Sequence, residues 1–302
     1  MKIWVEYGAF KVFMFFFAVP PRSWCLRFGR ALGTLVYRLD RHHRNIALAN
    51  LRQAFGREKS PAELRAIALD SFRRFGETVA DIFKLFHWSP ADIERLIDVE
   101  GQENLAGALA PGKGVLVFSA HIGNWEVGSS VISKAGTLSV IARALDNPRF
   151  DRALLRFREG MGAQVIYKQQ AAKKVLQALR NGEIVAILVD QNVLRREAVF
   201  VDFFGRPAGT TPALGAFHLR TGAPLLPVFC LPAAGGRYRL LIKPPVSFVP
   251  GEDVGADVLK ITGICTKIIE TAIREDPSSW LWVHDRWRSR PKDEHDHQNQ
   301  TT

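Results

Sequence analysis

Gly114-Val-Leu-Val-Phe-Ser-Ala-His121-Ile-Gly-Asn-Trp-Glu126 is the stretch that decides the fold. Its apolar run reads as a buried strand that delivers a histidine at its C-terminal end. Gly123 then permits a tight turn, and a helix is expected from about Val127. In open α/β sheets, ligands and catalytic groups gather outside the carboxyl ends of the strands. On a continuous helix, His121 and Glu126 would lie roughly 500° apart and share no face. Across a strand-to-helix turn they can meet. A carboxylate on one imidazole nitrogen fixes the tautomer and leaves the other nitrogen free as a base. That pair suits removal of a hydroxyl proton during attack on an acyl carbonyl, with His121 as general base and Glu126 orienting it. The plainer alternative is a strand-end histidine satisfied by the backbone of the turn.

Outward from this stretch, short apolar runs alternate with helical patterns. Strands are expected at 114–119, 138–142, 184–189, 198–203, 225–229 and 238–242. Residues 23–97 are predominantly helical in period, and 254–274 reads as a further helix. Ser60-Pro61-Ala62-Glu63 is a capping box with proline at the first helical position, opening a helix to about Phe86. Ser89-Pro90-Ala91-Asp92 repeats the signal. The pattern predicts an α/β fold, a mixed central sheet flanked by helices. No linker divides it, so residues 22–291 form one catalytic domain. Residues 292–302 are a polar tail with the composition of a disordered segment.

The chain has 302 residues, is 47% hydrophobic and carries a net charge of +11. Residues 1–60 hold 11 Lys and Arg against 3 acids, so most of the excess lies there. An apolar segment from about Tyr7 to Val19 precedes Arg22, Arg27, Arg30, Arg38, Arg41 and Arg44. Counted from Ile3, it reaches roughly 25 Å as a helix, short of the ~30 Å hydrocarbon core. Glu6 and Lys11 interrupt it, and no small-residue cleavage site follows. Residues 1–21 therefore read as a retained N-terminal membrane-anchor helix, shallow or barely spanning, with basic residues facing an anionic leaflet. A buried helix beside solvated arginines is the alternative. A polytopic membrane protein is excluded, and no nucleic-acid-binding motif accompanies the charge.

Five further blocks follow in order: Arg41 to Phe55, Arg143-Ala-Leu-Asp-Asn147-Pro-Arg-Phe-Asp151, Asp190-Gln191, Phe203-Phe-Gly205-Arg-Pro-Ala-Gly-Thr210-Thr211, and Trp280-Leu-Trp282-Val-His284-Asp-Arg286-Trp287-Arg288-Ser-Arg290-Pro291. With His121-Ile-Gly-Asn-Trp-Glu126, the string resembles the lipid A late acyltransferases (lauroyl and myristoyl transferases), within the glycerolipid acyltransferase-like superfamily. The resemblance covers most of the chain. Asp285 departs from it, standing where the family commonly carries a basic residue.

That resemblance implies transfer of a fatty acyl chain from acyl carrier protein to a hydroxyl of an anionic glycolipid acceptor, without metal or bound cofactor. It also implies work at the cytoplasmic face of the inner membrane. His121 and Glu126 would be catalytic. Arg143 would hold an oxyanion or a substrate phosphate, or else pair with Asp146 or Asp151. Asn124, Asp190 and Gln191 would support the site, with helix capping as the alternative for Asp190. Asn147 reads as the cap of the helix after Pro148. Arg286, Arg288 and Arg290 are candidate substrate contacts. Gly205, Thr210 and Thr211 would shape an entrance or simply turn and cap. Trp280, Trp282 and Trp287 would face lipid or pack the core. The same reaction on a phosphatidylinositol mannoside-like glycolipid is the neighbouring reading, and a non-catalytic membrane-anchored lipid-binding protein is the distant one. A serine hydrolase elbow, a zinc H-E-x-x-H helix and nucleotide-binding glycine loops do not occur.

Overall fold

The computed structural model describes residues 2–292. The expected tail lies almost wholly outside the described residues. Four helices come first: α1 (Lys2–Ala18), α2 (Arg22–Leu39), α3 (Arg41–Phe55) and α4 (Pro61–Leu85). The sheet region continues with α5 (Pro90–Glu94), β1 (Ile97–Glu100), α6 (Gln102–Leu109), β2 (Val115–Ser119), α7 (Gly128–Ile132), β3 (Leu138–Ala142) and α8 (Pro148–Gly160). Then come β4 (Ala163–Tyr167), α9 (Ala171–Arg180), β5 (Ile184–Leu188), β6 (Val199–Phe203), β7 (Arg206–Thr210), α10 (Ala213–Thr221), β8 (Leu225–Pro232), β9 (Tyr238–Ile242) and α11 (Val254–Glu275).

Seven strands form the central sheet in the order β1-β9-β8-β2-β5-β3-β4. All neighbours are parallel except β8 and β9. The expected mixed α/β class is therefore observed. A sheet with helices on both faces needs strands that are apolar on both sides, and β2 meets that need. Its Leu116 and Phe118 join the core under α3, α4, α9, α10 and α11. Val115 and Val117 join the opposite core, under α5, α6, α7 and α8. The run at 198–203 is a strand, but it pairs antiparallel with β7 in a separate hairpin rather than entering the main sheet.

Local signals explain the helix ends. The Ser60 hydroxyl accepts from the Glu63 amide while the Glu63 carboxylate accepts from the Ser60 amide, closing the capping box that starts α4. The Ser89 side chain accepts from the Asp92 amide at α5. α4 crosses α2 through glycine. A Cβ built on Gly33 would stand 2.2 Å from the Phe72 carbonyl oxygen, so the two backbones touch where side chains would hold them apart.

No helix among the described residues is long and apolar enough to cross a membrane. α1 instead lies along α4 and α8. Phe10 packs on Phe83 and Phe150 at ring-centroid distances of 5.5 and 4.9 Å. Phe17 is buried and stacks on Phe83. The opposite side of α1 leaves Trp4, Val12, Phe15 and Phe16 exposed, and α2 continues the surface with Trp24, Phe28, Leu32, Leu35 and Val36. Pro20 and Pro21 break the chain between the helices. There the Lys84 ammonium donates to the carbonyls of Ala18 and Pro20, both at 2.7 Å. Arg22 closes the joint by a forked pair with Asp81 and a bond to the Gly236 carbonyl.

Candidate active site

β2 and β5 are parallel neighbours, with Ser119 opposite Leu188. Two residues past each strand end, that register sets His121 beside Asp190. His121 Nδ1 lies 2.9 Å from Asp190 Oδ1, and the His121 amide donates to Oδ2 at 3.0 Å. The Trp280 indole donates to the same Oδ2 at 2.8 Å. Asp190 is thus buried with both oxygens engaged, as a buried carboxylate must be. Burial alone would raise its pKa. The charge on His121 and these donors outweigh that and hold the carboxyl at about 2. Burial likewise opposes the charged imidazole, but the Asp190 carboxylate dominates and raises the His121 pKa above its ordinary 6.5.

The turn after His121 is pinned from several sides. Gly123 has φ of +60°, and a Cβ there would stand 2.1 Å from the Cys230 carbonyl oxygen. Its amide donates to the Ser279 carbonyl, the Asn124 amide to the Cys230 carbonyl, and the Leu281 amide to the His121 carbonyl. The Asn124 side chain is fully buried and donates to the Tyr238 hydroxyl at 3.0 Å, which in turn donates to Asp81. The turn is therefore wired through Tyr238 and Asp81 to Arg22 at the start of α2.

The expected partnership of His121 with Glu126 is replaced by another. Glu126 pairs with Arg158 of α8, accepting at 2.9 Å from Nε and at 2.5 Å from a terminal nitrogen. A planar guanidinium matches a carboxylate in this forked way. Once Asp190 occupies Nδ1, the imidazole offers only Nε2. That nitrogen faces Gln191, whose amide nitrogen stands 3.4 Å away. The His121 and Trp125 rings meet edge-on at 4.8 Å.

Two cavities adjoin this centre. One, of about 280 Å³, is lined by His121, Trp125, Thr78, Arg74, Phe75 and Leu281 among others. The other, narrower at about 100 Å³, lies against β2, β3 and β5 under α7. Val117, Ile132, Leu138 and Val140 give it an apolar lining, and Trp125, Glu126 and Arg158 reach its edge. Trp125 is common to both.

Other expected residues fall elsewhere. Arg143 is exposed and pairs at 3.2 Å with the equally exposed Asp146. Asn147 caps α8 by accepting from the Arg149 amide. Arg286 is 1% exposed and inaccessible to a substrate. It donates to the Gly209 carbonyl at 2.7 Å and to the Thr210 hydroxyl at 2.6 Å, and lies over the Phe203 ring. Burial pushes its pKa down to about 10. Arg288 is exposed and Arg290 half-buried. Trp280, Trp282 and Trp287 are buried in the core rather than turned outward. Thr210 lies within β7, and Thr211 accepts from the Ala213 amide at the start of α10.

The sequence reading missed Arg158, one of several arginines on α8, because nothing local separates it from its neighbours. Trp280 as a donor to Asp190 was missed as well. The pairing of His121 with Asp190 did have a signal: two apolar runs in 114–119 and 184–189, each followed by a polar strand-end residue.

A family profile described as bacterial lipid A biosynthesis acyltransferase matches residues 2–289. The chain is 25% identical over 292 residues to a lipid A biosynthesis palmitoleoyltransferase of Escherichia coli (strain K12), covering 96% of this chain and 93% of that one. It is 26% identical over 268 residues to the lauroyltransferase of lipid A biosynthesis in the same organism, covering 88% and 86% respectively. It is also 26% identical over 234 residues to a phosphatidylinositol mannoside acyltransferase of Mycobacterium tuberculosis (strain CDC 1551 / Oshkosh), covering 75% and 71%.

Proposed function

The chain belongs to the bacterial lipid A biosynthesis acyltransferase family, and from that premise we propose that it moves a fatty acyl chain from the thioester of acyl carrier protein to a hydroxyl of a lipid A precursor. The observation that carries the reading is the His121–Asp190 pair, one imidazole nitrogen held by a buried carboxylate and the other left to face the Gln191 amide, on a residue that lines a cavity. In the proposed course, the acceptor hydroxyl donates to His121 Nε2 as its oxygen attacks the thioester carbonyl. The new C–O bond forms as the proton passes to the imidazole. Collapse of the tetrahedral intermediate breaks the C–S bond, and the imidazolium returns the proton to the departing sulfur. Asp190 stabilises the imidazolium between the two transfers. The narrow apolar cavity beside Trp125 takes the donor chain, and the Glu126–Arg158 pair fixes the wall where that chain enters.

The test is a mass-spectrometric assay of the detergent-extracted protein. It receives acyl carrier protein charged with C10–C18 chains and a tetra-acylated lipid A precursor. A gain of one acyl group is the expected result, and it reports the chain preferred. No gain on this acceptor, with a gain on a phosphatidylinositol mannoside, would shift the assignment to that substrate class. The 26% identity to a mycobacterial enzyme so named is the observation that favours this second acceptor.

We further propose that residues 1–21, with α2, seat the protein on the cytoplasmic face of the inner membrane as a shallow anchor. The exposed apolar surface of α1 and α2 supports this, with Lys11, Arg27, Arg38 and Arg41 exposed around it. Val12, Phe15 and Val19 are 68%, 74% and 73% exposed. Replacing all three by Glu is expected to lower binding to anionic vesicles at least tenfold, by sedimentation, without shifting the melting temperature. Undiminished binding by the triple variant would put the membrane contact elsewhere.

A further inference from the structure

A third cavity, of about 320 Å³, runs between α2 and α4. Phe13, Leu32, Val36, Phe72, Val79 and Phe83 are among its almost wholly apolar walls. Gly29, Gly33 and Gly76, where the two helix backbones touch, also line it. Its volume falls at the low end of the roughly 300–1,000 Å³ of small-molecule sites.

Two relations give the groove a meaning. Ser71, Phe75 and Leu281 line both it and the His121 cavity. Leu281 also donates its amide to the His121 carbonyl, so one residue joins the groove wall to the catalytic turn. The groove's Phe13, Leu32 and Val36 are exposed and continue into the apolar surface of α1 and α2. Arg27 and Arg38 on α2 and Arg41 at the start of α3 stand exposed, suited to an anionic headgroup. The apolar groove therefore shares walls with the mixed polar and apolar cavity at the base.

We propose that this groove binds a hydrocarbon chain of the acceptor lipid, which slides in sideways and brings its hydroxyl to His121. The proposal rests on the acyl-transfer reading and deepens it. The donor chain keeps the separate cavity beneath α7.

Val36 is 39% exposed, so a larger side chain there narrows the groove without entering the core. Val36→Trp is expected to raise KM for a long-chain acceptor about tenfold. Its kcat, its KM for the acyl donor and its KM for a short-chain acceptor should stay within twofold of wild type. Leu32→Trp serves as the second variant if the first melts early. An activity-independent arm uses vesicles containing a phosphatidylglycerol with a diazirine at the end of one C16 chain. Photolysis should label residues 29–36 and 72–79, and Val36→Trp should cut that labelling at least fivefold. Labels confined to Val12, Phe15 and Val19, or an unchanged long-chain KM in both variants, would overturn the proposal. Labelling of the groove in a wild type that transfers no acyl group would instead sink the enzymatic reading and leave a lipid site standing.

Discussion

Replacing Asp190 by Asn is expected to lower acyl transfer by roughly 10²–10⁴-fold, close to the loss from His121→Ala. The carboxylate holds the proton of the neutral imidazole on Nδ1, so that Nε2 presents a lone pair. An Asn amide can present an N–H there and favour the tautomer with Nε2 protonated, which cannot accept from an alcohol. The two losses should not add, because one variant disables the base that the other removes. The pH dependence has a definite sign. The active form is the neutral imidazole, and its pKa in the wild type is raised by Asp190 against the opposing effect of burial. The rising limb of the wild-type pH–rate profile should therefore lie above the ordinary histidine value of about 6.5. Without the carboxylate, burial prevails, so the residual activity of Asp190→Asn should rise at lower pH. Glu126→Gln should move the limb less, since Glu126 acts on the imidazole only through space. A limb displaced by Glu126→Gln and not by Asp190→Asn would reverse the assignment.

Arg286→Ala is expected to destabilise the fold by roughly 3–5 kcal/mol, while leaving the KM of the enzyme that still folds near wild type. The guanidinium is buried and bound to Gly209 and Thr210 of β7. Truncation strips two charge-assisted hydrogen bonds, orphans a buried carbonyl and opens a cavity beneath Phe203. For a chain of this size each kcal/mol shifts the melting temperature by about 2 °C, so thermal unfolding should begin about 6–10 °C earlier. A raised KM at unchanged stability would instead restore Arg286 to the substrate-binding role first expected of it.

The class of fold was legible because its signals are local. The 114–119, 138–142 and 238–242 runs are continuous and apolar or alternating, and all three became strands of the main sheet. Ser60 and Ser89 announce helices through bonds made within four residues. The strands at 97–100, 163–167 and 206–210 were not anticipated. The first two are the edges of the sheet, where one flank is unpaired and the apolar pattern is weak. The third contains Pro207 and Gly209, which argue against a strand until its hairpin partner is known.

The site divides in the same way. His121 was legible from its position after a strand. Its partner was not, because five residues of sequence favour Glu126 while parallel register favours Asp190, 69 residues away. Arg286 belongs to a block that looked like a basic surface, and only the packing of α11, β7 and the tryptophans shows it turned inward. Charge in a sequence says nothing of direction, and a conspicuous arginine run contains both kinds.

The clasp of Lys84 on the carbonyl of Ala18, last in α1, and on that of Pro20 just beyond it stands beside the Arg22–Asp81 fork. It allows α1 little freedom to swing against α4. If α1 rests on the bilayer, the base is then carried at a set altitude above the lipid surface, like a tool on a fixed stand. Only hydroxyls at that altitude come within reach. Which position on a glycolipid is acylated would then be chosen by its height above the membrane as well as by its shape, and loosening the clasp with Lys84→Met should blur that choice before it slows the reaction.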